Sequence, residues 1–317
     1  MLNKLTEISL LKEKFINERK TVLASNVSAL QKKLYKRLFD RLIEALDTEA
    51  GAVLKNSRNL SLVSEVDKIF KDFEGDMQVL MKQVMADYNS VLGYNVKYFE
   101  SFNNALFANV KKQVTIAMNA RVGFASDGFT KDGFIDSFIK DKAVARIVKQ
   151  SVLGAVLNGT PINTLTKSLN ATITGTDKSN GIVDAHFRTY IYDSYSQFDR
   201  ESNNQFSIGL DLNYAIYAGG LVDGSRDFCI VRNGKAFTRE EIQAFGTSRD
   251  KFGGYTNKSK GEFAGKWSPN QGIVYVPERD LGCNNCGHFA NWVDYIIAKS
   301  IRADISKSKF DRQKAAA

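Results

Sequence analysis

Apolar residues return every three or four positions along most of the first two hundred residues, the spacing of one face of an α-helix. Leu23, Val27, Leu30, Leu34, Leu38, Leu42 and Leu46 form the first stripe, with Lys32, Lys33, Lys36, Arg37 and Arg41 between them. This stripe drifts as a 3.6 period does, so an amphipathic helix is predicted over about 2–46 rather than a strict heptad seam. Residues 47–60, with Gly51 and Asn56-Ser-Arg-Asn59, read as a break. Val63, Val66, Phe70, Phe73, Met77, Leu80 and Val84 then alternate spacings of three and four, and Asp87 interrupts them. Such a pattern fits a homomeric coiled coil or a helix packed on the first one within its own subunit. A third helix is predicted over 94–120, with Phe99, Phe102, Leu106, Val110 and Val114 on one side. Residues 134–157 and 161–169 read as a helix pair. Asn158-Gly-Thr-Pro161 between them is a stop-and-start signal, with Thr160 as cap and Pro161 at the first helical position. Another long helix is expected over 182–206.

From Leu212 the texture changes. Tyr214-Ala-Ile-Tyr-Ala218 alternates as a strand does, Gly219-Gly220 bends it, and Asp223-Gly-Ser-Arg-Asp227 is turn chemistry. Arg232-Asn-Gly-Lys235 carries the Asn-Gly hairpin signal, with Ile230-Val231 before it and Ala236-Phe237 after it. Thr238, followed three residues later by Glu241, forms a capping box. Residues 246–272, with six glycines and Trp267, read as a long loop. A short strand is expected over 273–276, and a closing helix over 289–302. These elements predict an α+β protein. A mainly helical body spans 1–207, subdivided near 120–133, a small α+β domain follows over 208–298, and 299–317 is a basic tail.

Three prolines in 317 residues suit long uninterrupted helices. The net charge of +9 sits mostly at the two ends: residues 1–48 carry ten Lys/Arg against six Asp/Glu, and residues 299–317 carry six against two. Basic ends suit a phosphate backbone or an acidic partner surface, and equally a solvated helix face. No run approaches the ~20 apolar residues of a bilayer span, so no membrane is expected among the partners. Glu7, Lys12, Glu13 and Lys14 stand where a secretion signal needs its apolar core. An odd cysteine count argues against a disulfide framework, and a reducing cytoplasm is the expected site of synthesis.

All three cysteines and one of the two histidines fall within 219–288. Cys283-x-x-Cys286-x-His288, with Cys229 upstream, offers four ligands of the kind a tetrahedral zinc accepts, and Cys-x-x-Cys is the spacing of half such a site. Buried structural thiols around a tight turn, and redox or disulfide chemistry, are the competing readings. A cysteine nucleophile needs a histidine base oriented by a third group, whereas local backbone alone sets the placement of His288 against Cys286. Asp223, Arg226 and Asp227 beside Arg232 and Lys235 resemble an acid–base constellation, yet a hydrogen-bonded turn accounts for them. No phosphate loop, dinucleotide fingerprint or zinc-protease helix is present. No enzyme is expected.

Several of these runs, taken together, resemble the phage Mu F-like minor head proteins, also called head morphogenesis or minor capsid proteins, in the type carried by phages of the Bacteroidetes. The likeness covers about 150–295. It rests on Tyr190-Ile-Tyr-Asp-Ser194, Phe198-Asp-Arg-Glu-Ser-Asn203, the run from Tyr217 through Asp223, Ser225 and Arg226 to Cys229, then Gly234-Lys235 to Ile242, Trp267, and Asn285-Cys-Gly-His288. Gly287 stands where that type commonly has Arg, and Cys229 stands alone where many wider members have a cysteine pair. The resemblance implies a low-copy structural protein of the virion, assembled in the host cytoplasm. It would bind portal, capsid or scaffold proteins during head assembly and in some cases contact packaged DNA. The alternative is a sequence-independent nucleic-acid-binding protein delivered with the genome.

Overall fold

A computed structural model describes residues 1–125, 128–192, 194–223, 225–246, 249–253, 276–281 and 286–316. The protein is α+β, with a long helical N-terminal region and short antiparallel strands in its C-terminal region. Among the described residues no helix is long and apolar enough to cross a membrane.

Helix α1, Leu2–Leu38, carries the first stripe: Leu23, Val27, Leu34 and Leu38 are buried and Leu30 is half-buried. A π-helical turn, Phe39–Ile43, extends it. Helix α2, Glu65–Glu100, is continuous, and Asp87 does not interrupt it. The buried Asp87 carboxylate accepts from Gln83 Nε2 at 3.1 Å, one turn back on the same helix. These long helices run through the boundaries of the compact units that the chain forms. Two compact units form from separated stretches, residues 1–17, 88–118 and 193–317 in one and 18–87 and 119–192 in the other. The change of texture at Leu212 marks a change of secondary structure, whereas packing follows which part of each helix is covered.

In the unit formed by 18–87 and 119–192, every apolar position of the second stripe from Val63 to Val84 is buried. Arg37 Nη1 meets Asp76 at 2.5 Å, Lys33 Nζ meets it at 2.7 Å, and Arg41 pairs with Glu65 and Asp72. The stripe thus packs within its own chain, as the second of its two readings has it. Helices Phe134–Lys140, Ala143–Asn158, Ile162–Thr174 and Ile182–Phe187 complete this unit. Gly159, at φ +60, ends the second of them in a left-handed cap. Pro161 is the N-cap of the next helix rather than its first residue, and no side chain caps there. Thr160 serves by its backbone instead, its carbonyl accepting from Val53 N at 3.0 Å.

In the other unit, the helix expected over 94–120 is two helices. α2 runs to Glu100, Asn103 takes a left-handed φ of +48, and a new helix, Phe107–Val122, begins. Asn104 Oδ1 accepts from Leu106 N at 2.9 Å, an Asx turn that leaves Leu106 exposed while Val110 and Val114 stay buried. The helix expected over 182–206 is likewise broken: a π-helical turn, Arg188–Tyr192, belongs to the first-described unit, and helix α3, Ser194–Gly209, belongs to this one. Strands β1, Tyr214–Ala218, β2, Ala236–Thr238, and β3, Phe289–Val293, form an antiparallel sheet in the order β2-β1-β3. Ala215 lies opposite both Phe237 and Trp292.

Two expectations fail here for identifiable reasons. The Asn-Gly signal does not join 230–231 to 236–237, because Asp227–Ile230 is a helical turn and β2 pairs with β1. Gly234, at φ +75, donates instead to the Tyr217 carbonyl at 2.8 Å. The closing helix starts later than expected, at Tyr295–Ile301 with Asp294 as N-cap, because Phe289-Ala-Asn-Trp-Val293 is fully buried as a strand. The capping box at Thr238 and Glu241 is present as expected. Residues 299–316 do not form a loose tail. Asp311 accepts from Tyr214 Oη at 2.5 Å and Asn213 Nδ2 at 2.9 Å, and Glu240 accepts from Ser308 Oγ. The strand expected over 273–276 lies outside the described residues but for Val276, as does most of the loop over 246–272.

His186 stacks on Phe138, ring centroids 4.6 Å apart, and burial lowers its pKa despite Asp141 nearby. The unfolded chain therefore binds this proton more readily than the folded one. Stability is full above the ordinary value of 6.5 and falls as pH drops below it toward the folded pKa. His186→Gln is expected to flatten this dependence in denaturant titrations between about pH 7 and 5. An unchanged slope in the variant would count against the burial argument.

Candidate metal centre

Two segments bring the candidate ligands together. Cys229 stands on the helical turn Asp227–Ile230, Cys286 just before β3, and His288 immediately before its first residue. All three are buried, and their ligand atoms lie within 4.8 Å of one another. The Cys229 and Cys286 sulfurs are 3.8 Å apart, and Cys286 Sγ is 3.7 Å from His288 Nδ1. A disulfide needs about 2.05 Å, so both cysteines are free thiols. A tetrahedral zinc with sulfurs near 2.3 Å and nitrogen near 2.0 Å sets its S···S spacing at about 3.8 Å and its S···N spacing at about 3.5 Å. Both observed spacings match, so Cys229, Cys286 and His288 are placed to hold a metal ion. His288 Nε2 is buried and finds no hydrogen-bond partner among the described residues.

The surroundings prepare these donors electrostatically. Cys286 is drawn well below the ordinary thiol range, first by its hydrogen bond with Cys229 and then by His288 and the guanidinium of Arg200, against the opposing effect of burial. Cys229 is pushed up, first by that same bond and then by burial. Of the two thiols Cys286 is thus the one these surroundings make easier to ionise, and a thiolate is the form that ligates. Tyr217 Oη donates to Cys229 Sγ at 3.3 Å and lies 3.8 Å from Cys286 Sγ, while burial keeps this phenol protonated. Its ring stacks on His288 with centroids 5.2 Å apart.

Backbone geometry holds the arrangement in place. Buried Arg200, on α3, donates to the carbonyls of Cys286, His288 at 2.9 Å and Asp280 at 3.3 Å. Gly219, at φ +147, packs so closely that a Cβ there would lie 2.9 Å from His288 Cα. The cavity beside His288 and Arg200 has a volume of ≈10 Å³, room for about one water.

The remaining predicted residues scatter. Asp223 and Lys235 are exposed, Gly234 lies in an exposed turn, and Ser225 closes a turn by accepting from Val222 N at 2.8 Å. Arg226 is half-buried, and its charge lowers the Cys229 pKa slightly. Cys283 and Trp267 lie outside the described residues. Sequence reasoning did not single out Tyr217, Gly219 or Arg200 as site residues. The available signal was a charged residue, Arg200, on a helix polar on every side, a pattern that needs partners when buried. No protein-family model matches the chain, and neither does any curated protein or solved structure.

Replacing Arg200 by Leu leaves three buried carbonyls without their donor. A loss on the order of 3 kcal/mol is expected in guanidinium unfolding. Gly219→Ala is expected to lose about 1–3 kcal/mol through strain against His288. Wild-type midpoints in both variants would refute this account of the site.

Proposed function

We propose that the chain is a minor head protein of a tailed bacteriophage, of the Mu F-like head-morphogenesis type. In this reading it is a virion component assembled in the host cytoplasm, and it works by binding portal, capsid or scaffold proteins without catalysing a reaction. One observation carries the reading. Arg200, Tyr217, Gly219, Cys229, Cys286 and His288, drawn from separate runs of the resemblance, converge on one buried centre. A sealed centre suits closure of a structural module. Turnover would need a reachable nucleophile and space for a substrate.

The metal in this reading is a structural zinc. Cys229, Cys286 and His288 hold it, and Cys283, three residues before Cys286 in sequence, is the candidate that the sequence offers for a fourth ligand. When bound, the ion supplies a cross-link between the helical turn at Cys229 and the approach to β3, contributing directly to folding.

Contact with packaged DNA belongs to the reading only as a secondary property. Lys33, Arg37 and Arg41 of the basic N-terminal stretch are paired with Asp76, Glu65 and Asp72, which favours a protein-binding role over a phosphate-binding one.

Mass spectrometry of purified particles, comparing DNA-filled heads, empty heads and lysate, is expected to find the protein at low copy in both kinds of head. Its absence from every particle would overturn the assignment, and presence in filled heads alone would favour the DNA-binding alternative. Elemental analysis of the purified chain is expected to give about one zinc per molecule, lost on acidification as the thiolates protonate. Chelation is expected to lower the thermal midpoint. A metal-free chain indifferent to chelator would rule the zinc out.

A further inference from the structure

A second buried constellation lies in the same unit and involves none of the metal-site donors. Lys12 on α1, Asn95 on α2 and Asp199 on α3 are 2%, 0% and 1% exposed. Lys12 Nζ lies 2.7 Å from Asp199 Oδ1 and donates to Asn95 Oδ1 at 2.9 Å. The other side of the Asn95 amide is taken by acceptors. Its Nδ2 donates to Ser202 Oγ at 2.6 Å, to Asp199 Oδ1 at 3.0 Å and to the Asp199 carbonyl at 3.5 Å. That pattern fixes the amide's orientation, with oxygen toward the lysine and nitrogen toward the carboxylate. Asn203 Nδ2 steadies the same carboxylate at 3.0 Å, and the Phe289 ring lies 5.2 Å from the lysine nitrogen.

An amine, a primary amide and a carboxylate that touches both, shielded from water, are the components of a transamidation. We propose that Lys12 and Asn95 become joined by an intramolecular isopeptide bond, with Asp199 as the proton-transferring group. Asp199 Oδ1 accepts a proton from the Lys12 ammonium, leaving a neutral amine beside the Asn95 carbonyl. The Nζ lone pair attacks Asn95 Cγ and forms the N–C bond, with charge developing on Oδ1. Asp199 passes its proton to Nδ2, the Cγ–Nδ2 bond breaks, and ammonia leaves. The proton remaining on Nζ in excess of the amide returns through the carboxylate, so ammonium is the net product and Asp199 ends ionised. No oxidant, metal or cofactor takes part.

Several features favour reaction over a static ion pair. The three side chains are sealed from bulk water, which keeps the competing nucleophile away from the Asn95 carbonyl. Fixed contact supplies the proximity that an intermolecular amide exchange lacks. Asn95 rather than Asp199 is the acyl donor, because a carboxylate is a poor electrophile and the amide nitrogen already touches the acid that must protonate it. The product would tie α1 to α2 and close a long loop in the unfolded chain.

The test is the intact mass of the full-length purified chain under denaturing conditions, followed by peptide mapping. The expected mass is about 17 Da below that of the sequence, the loss of one ammonia, with a branched peptide linking Lys12 to Asn95. Lys12→Arg, Asn95→Ala and Asp199→Asn are each expected at full mass. The wild-type measurement decides even if a variant fails to fold. A wild-type chain at full sequence mass overturns the proposal, as does a link between Lys12 and Asp199 with loss of water. A bond that forms equally well in Asp199→Asn removes the role given to the carboxylate.

Discussion

Helix α3 must bury polar side chains on nearly every side, and much of its unit is arranged to satisfy them. Asp199, Arg200, Glu201, Ser202, Asn203, Asn204 and Ser207 are all buried. A buried charge without a partner is strongly destabilising, so each demands a specific complement. Asp199 meets Lys12, and Arg200 meets three backbone carbonyls. Asn204 and Ser207 accept from Arg239, whose guanidinium also stacks 3.9 Å over Trp292. Burial lowers the pKa of that guanidinium to about 10, a measure of how fully it is withdrawn from water. Through these contacts one helix fixes the first turns of α1, the residues leading into β3, and the start of the helix that follows β2.

The geometry of the candidate metal centre follows from that constraint. Arg200 takes hold of the backbone on either side of Gly287, so Cys286 and His288 are positioned by their carbonyls rather than by their side chains. Tyr217 reaches the same point from the central strand, and Gly219 permits the close approach of His288. Cys286 is thus held 3.8 Å from Cys229 and 3.7 Å from His288 Nδ1 by packing and hydrogen bonds of the protein itself, with its thiol drawn below the ordinary range.

Charge in this chain is less available than its composition suggests. Lys33, Arg37 and Arg41 beside the first stripe face carboxylates on α2, and Arg302 of the C-terminal stretch pairs with Glu241 at 2.8 Å. Pairs of this kind near the surface contribute modestly to stability, but they cancel field that would otherwise draw a polyanion. Asp87 shows the same principle on the acidic side: a carboxylate that interrupts the apolar stripe is accommodated by a glutamine one turn away.

Periodicity alone determined the helical stripes, because the apolar positions from Leu23 to Leu46 and from Val63 to Val84 record which face each helix must hide. Local chemistry was equally legible at Thr238 and Glu241, where two side chains close a capping box without outside help. The Cys and His content narrowed which residues could form a centre, and among the described residues Cys229, Cys286 and His288 are the ones whose donor atoms come together. Tertiary structure decided the rest. Phe289–Val293 is a strand because β1 offers it a partner, a pairing across some seventy residues that no local window contains. The Asn-Gly turn joins no hairpin of its neighbours for the same reason. Arg200 became a clamp, and Lys12, Asn95 and Asp199 a buried triad, only when three helices distant in sequence met, because the partners of a buried charge are chosen by packing rather than by spacing.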